Sequence, residues 1–112
     1  MRACLIAAVL VFFGIGTARA AVDSDIANYI LPGCINFIQK NNTPDMFGQG
    51  ACVGKVMGVA WASSSVCSPV GVTNEEAALV VIAYIQVHPE RMRESFMKLA
   101  HQALKAAWPC PR

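Results

Sequence analysis

Cysteines at 34, 52, 67 and 110 and histidines at 88 and 101 are the side chains of this 112-residue chain best suited to chemistry. Sulfurs and imidazoles of this number could hold a zinc ion, or a free thiolate beside a histidine could attack an acyl carbon. The spacing fits neither. No two of these cysteines form a Cys-x-x-Cys pair, and His88 and His101 lack ligand spacing. An even number of cysteines in an exported chain reads instead as two disulfides, which leave no free thiol nucleophile. The carboxylates suggest no catalyst either. Asp45, Glu75, Glu76 and Glu90 stand at expected helix starts, where negative charge is favourable, and no acid–base pair stands out among them. No glycine-rich phosphate loop follows a strand. The expectation is a non-enzyme with no cofactor and no metal.

Export is read from the first 20 residues. Arg2 precedes an apolar run from Ala3 to Gly16, and Thr17-Ala18-Arg19-Ala20 supplies an Ala-x-Ala cleavage site. The run is too short to span a bilayer comfortably, so residues 1–20 are expected to be a cleaved signal peptide that takes Cys4 with it. Removing 20 residues from 112 leaves 92, a single domain over 21–112. Arg2 and Arg19 leave as well, so seven Lys plus Arg face seven Asp plus Glu. A neutral chain without a basic run argues against nucleic acid or anionic lipid as a partner, and no membrane association is expected after cleavage.

The elements that must position the cysteines are helices. Gln49 to Trp61 has apolar or small residues on every side, which predicts a central helix buried nearly all round and ending at about Ala62. Within it Gly50, Gly54 and Gly58 recur every four residues. They either line one stripe where a neighbouring backbone comes close or are incidental glycines in a weak helix. Ser24 to Lys40 has helical apolar spacing with Asp23 or Ser24 as N-cap, and Pro32-Gly33 predicts a kink or a fresh start there. Thr43-Pro44-Asp45 reads as the cap and first turn of the central helix. Thr73-Asn74-Glu75-Glu76 is a capping box that opens a largely buried third helix through Val87. His88-Pro89-Glu90 is expected to open a fourth, amphipathic helix ending at Trp108-Pro109-Cys110, with Glu94 and Lys98 as an i,i+4 pair.

The fold class is therefore all-α, a small disulfide-linked four-helix domain. Pairing follows from symmetry, because facing residues of a helical hairpin lie equally far from its turn. Cys34 and Cys52 are centred on the Asn41–Asp45 turn, and Cys67 and Cys110 on the His88-Pro89 junction, so these are the predicted disulfides. Tyr29, Tyr84, Trp61 and Trp108 could wall a ligand site, although helical spacing makes them more often core.

The series Leu31-Pro32-Gly33-Cys34, Gly50-Ala51-Cys52-Val53-Gly54, Gly58-Val59-Ala60-Trp61, Cys67-Ser68-Pro69 and Gly71-Val72-Thr73 resembles the Rap/Tai immunity proteins of type VI secretion systems. Tyr84, His88-Pro89-Glu90 and the closing Ala103 to Cys110 extend the resemblance over nearly the whole mature chain. It implies a small helical periplasmic protein, often a homodimer, that binds and blocks a secreted peptidoglycan amidase effector. Inhibiting members do so with protruding surface segments, and here only the Ser63–Val72 connection has any length. Ser63, Ser64, Ser65, Ser68 and Asn74 are accordingly the candidate partner-binding residues. Two other functions fit the same scaffold. A periplasmic stress chaperone would expose apolar surface on acidification, and a small-ligand binder would need a sizeable apolar cavity.

Overall fold

Four α-helices account for the fold in a computed structural model that describes residues 24–40 and 43–112; the proposed signal peptide lies outside these residues. They are α1 (Ala27–Gln39), α2 (Met46–Ala62), α3 (Asn74–Gln86) and α4 (Phe96–Ala107), with one 3₁₀ turn at Pro89–Arg91 between α3 and α4. No strand forms among the described residues, so the all-α expectation holds. The α1–α2 hairpin carries the Cys34–Cys52 disulfide, and Cys67–Cys110 joins the start of the α2–α3 connection to the chain just past α4. Both pairings are those that hairpin symmetry predicts.

Each helix contributes one stripe to a shared core. Phe96, Ile85, Leu99, Leu104, Val56 and Val81 are its largest fully buried apolar side chains, with the Cys34–Cys52 bridge buried among them. No polar or charged side chain is buried among the described residues. Of α2, only Cys52, Val56 and Val59 are buried, so a central helix covered nearly all round is not what forms. Trp61 is 83% exposed and Phe47 80%. The glycine stripe is corrected as well: a Cβ added at Gly50, Gly54 or Gly58 would meet no described atom within 4 Å. Close backbone approach occurs instead between Gly33 of α1 and Gly48 of α2. A Cβ on Gly33 would overlap the Gly48 carbonyl and lie 2.8 Å from its Cα.

Helix boundaries differ from the sequence expectation where tertiary contacts replace local caps. α1 runs through Pro32 without a break, at the cost of the N–H that would have bonded the Asn28 carbonyl. Its N-cap is Ile26, with no side-chain cap. The free N–H groups of its first turn go elsewhere: Ala27 donates to the Glu94 carbonyl at 2.9 Å and Asn28 to the Met92 carbonyl at 2.8 Å. α2 starts two residues later than expected, capped by the Asp45 carboxylate, which accepts from the Gly48 N–H. The Thr73–Glu76 capping box is present in full.

The expected fourth helix is broken. Pro89 starts only a 3₁₀ turn, and α4 begins at Phe96 with Ser95 as its cap, because residues 92–95 are drawn across to the start of α1. Arg91 holds this loop. Its guanidinium donates to both Glu94 carboxylate oxygens, at 2.6 and 3.1 Å, and to the Tyr84 hydroxyl at 3.1 Å, while Lys98 reaches Glu94 at 2.9 Å. The Arg91 guanidinium, then Lys98, hold the Glu94 carboxyl down to about 2.

Candidate functional site

The connection from α2 to α3 is fixed at both ends and bare in the middle. At its start Ser63 terminates α2, and its hydroxyl lies 2.9 Å from His101 Nε2 on α4; the Ser65 hydroxyl lies 2.9 Å from the same nitrogen and 3.0 Å from Ser63. Val66 is buried and bridges to Pro109. The Cys67 N–H donates to the Trp108 carbonyl at 2.9 Å, beside the Cys67–Cys110 disulfide. At the far end the capping box anchors Thr73 to α3. Between these anchors Ser68, Pro69, Val70 and Gly71 are all exposed. A turn shapes this apex: the Val72 N–H donates to the Pro69 carbonyl, and Gly71 takes φ +88°, a conformation that favours glycine.

Two hydroxyls on one imidazole raise the question of acyl chemistry, and the backbone answers it. An active serine needs a group that orients its histidine and free N–H groups for the oxyanion. Among the described residues no hydrogen bond reaches His101 Nδ1. The Ser63 N–H is taken by the Val59 carbonyl and the Ser65 N–H by the Ser63 hydroxyl. The arrangement works as a latch that fastens the connection to α4. No group of metal-ligating residues is present among the described residues.

The structure divides the five sequence candidates. Ser63 and Ser65 are half-buried and occupied by His101, whereas Ser64, Ser68 and Asn74 are exposed. The sequence did not point to Val70, which is fully exposed at the apex, or to the latch residue His101. Its one signal for the apex is the Pro-Val-Gly order, which places a valine where a turn must face water. Beside the segment runs an open groove of 480 Å³ lined by Met57, Ala60, Trp61, Val66, Pro69 and Val72. It is a surface groove, not the enclosed apolar cavity a small-ligand binder would need. Nor do the four aromatics form a cage: Tyr29 and Trp61 are exposed, Trp108 is half-buried near the C-terminus, and Tyr84 bonds Arg91 and Gln102 and packs on His88.

The cystine-braced helical scaffold thus fastens one bare segment at both ends, through the His101 contacts and Cys67–Cys110 on one side and the Thr73–Glu76 box on the other. The model of the Rap1a immunity proteins matches residues 26–110, from the cap of α1 to the last cysteine. This chain belongs to the Rap1a immunity proteins. Membership makes it an immunity-type protein directed at a secreted effector, in a family that is generally non-catalytic. No curated protein and no solved structure matches the chain significantly. As a Rap1a immunity protein it carries the family match across both disulfides, the His101 latch and the exposed apex. No described helix is long and apolar enough to cross a membrane.

Proposed function

We propose that this protein is exported to the periplasm after cleavage at Ala20 and neutralises a peptidoglycan amidase delivered by type VI secretion. It binds the enzyme one to one and covers its cleft, and the exposed residues between Ser64 and Asn74 make the central contacts. The observation that carries this reading is the pinning of that segment at both ends around a bare apex with Val70 at its tip. A segment already held in shape loses little conformational entropy on docking, so its contacts translate into affinity. Ser64, Ser68 and Asn74 supply polar groups around the apolar tip, the usual division between the centre and rim of an interface. An interface of roughly 1,200–2,000 Å² in total would suffice to occlude a cleft.

The test is to mix the purified protein with the amidase encoded nearest to it and to measure both complex formation and residual peptidoglycan cleavage. Stoichiometric loss of cleavage is expected, together with at least tenfold weaker binding by Val70→Asp. Failure to bind any amidase of the same genome or its close competitors would sink the amidase reading and leave the immunity family and fold untouched.

A further inference from the structure

The α1–α2 hairpin carries a second feature, at the end of α2 away from the α2–α3 connection. A cleft of about 170 Å³ opens there, lined by Tyr29, Ile30 and Pro32 from α1 and by Asp45, Phe47 and Ala51 from the cap and first turns of α2. Gly33 and Gly48 line it too, and their backbones are in contact. Neither glycine has a side chain to fill the space above that contact, so it stays open between the larger residues. Two aromatic rings border it, Tyr29 at 58% exposure and Phe47 at 80%.

Asp45 is the one charged residue of the lining. Its Oδ1 caps α2 by accepting from the Gly48 N–H at 2.9 Å, whereas among the described residues no hydrogen bond or ion pair reaches Oδ2, which lies close over Gly48. The turn that carries it is fixed by Asn36 of α1, which accepts from the Asp45 N–H at 3.0 Å and donates to the Thr43 carbonyl at 3.3 Å. A carboxylate beside two exposed rings repels an anion and attracts a cation, because aromatic faces are negative. The volume is below the roughly 300–1,000 Å³ of small-molecule sites and suits one long side chain. A guanidinium fits better than an ammonium: it is flat enough to stack on a ring while its in-plane N–H groups reach the carboxylate, and it is more weakly hydrated. Its apolar stem has Pro32 and Ala51 to lie on. We infer that this cleft receives an arginine side chain of the secreted effector, as a second anchor about 22 Å along α2 from the connection. An effector partner follows from family membership and does not require the amidase reading.

Titration of the isotope-labelled protein with a Gly-Arg-Gly peptide blocked at both ends, followed by NMR, tests the site with no amidase present, so its failure is separable from that of the proposed function. Saturable shifts should centre on the backbone N–H groups of Tyr29, Gly33, Phe47 and Gly48. The same peptide with citrulline, which keeps the shape without the charge, should bind about tenfold more weakly or worse. Asp45→Asn should weaken the arginine peptide by about tenfold and leave the helical circular dichroism unchanged, because asparagine also caps a helix. Phe47→Ser should weaken it about threefold, and Leu79→Ser, on the exposed side of α3, should have no effect. In a complex with the amidase encoded nearest to the protein, D45N should raise Kd by about tenfold. Shifts spread over the whole surface, equal binding of the citrulline peptide, or an arginine peptide indifferent to D45N would overturn the inference. So would an amidase complex that D45N leaves unchanged, since the effector would then place no arginine in the cleft.

Discussion

Gly33 and Gly48 touch backbone to backbone, and a Cβ on Gly33 would occupy space already filled by the Gly48 carbonyl. That contact sets the separation of α1 and α2 one residue before the Cys34–Cys52 bridge. Gly33→Ala should therefore force the helices apart and cost about 1–3 kcal/mol, the usual range for overpacking a close contact. Gly54→Ala is the control. It should stabilise by about 0.5–1 kcal/mol, because alanine is the better helix residue and finds open space. Urea unfolding of both variants decides the matter, and equal effects of the same sign would refute this division of the glycines.

The two disulfides differ in burial. Cys34 and Cys52 are fully buried, whereas Cys67 is exposed. Thiolate attack requires access, so mild reductant should open Cys67–Cys110 first, as read by alkylation and peptide mapping over time. Removing that bridge as Cys67→Ala with Cys110→Ala should cost about 2–5 kcal/mol, with roughly 4 expected for a 43-residue separation in the loop-entropy model. A double variant that melts within a degree or two of wild type would deny the cross-link its structural role.

Local signals in the chain were reliable wherever a residue satisfies its neighbour in sequence. The Thr73–Glu76 box, the end of α2 at Ser63, the proline that stops α4 and the cysteine symmetry all appear as read. Readings failed where a distant strand of backbone took over. The start of α1 needs no side-chain cap because carbonyls at 92 and 94 satisfy it, and the same attachment delays α4 to Phe96. The glycines of α2 show a further limit. Glycines spaced every four residues can line a close backbone contact or face open space, and spacing alone does not separate the two; here they face open space. Of the candidate site, the segment was legible from its length and turn residues. Its inward and outward serines were not, because His101 lies 38 residues from Ser63.

The latch predicts a loop phenotype separable from unfolding. His101→Ala removes the ring nitrogen shared by the Ser63 and Ser65 hydroxyls and leaves these half-buried groups only the contacts they make with each other. A cost of about 1 kcal/mol is expected, typical of one lost hydrogen-bonded contact. Hydrogen exchange at residues 64–67 should accelerate while the α3 core stays protected. Uniform acceleration across all four helices would show that His101 supports the core and not the segment.

The final prediction concerns acid. Glu94 joins Arg91 and Lys98 and closes the loop that receives the start of α1, and its carboxyl is lowered from 4.5 to about 2, chiefly by the Arg91 guanidinium. A carboxylate whose folded pKa is depressed binds its proton more readily in the unfolded chain. Its contribution to stability is therefore complete above the unfolded value near 4.5 and is lost as pH falls through about 2. Glu94→Gln should accordingly be less stable than wild type at neutral pH, and the difference should shrink below pH 4.5 and vanish near 2. Because the pair is partly exposed, added salt should narrow the same gap at neutral pH. Melting temperatures of both proteins, taken across this range at two ionic strengths, test the sign directly. A gap that persists unchanged to pH 2 would mean that Glu94 acts through packing and not through its charge.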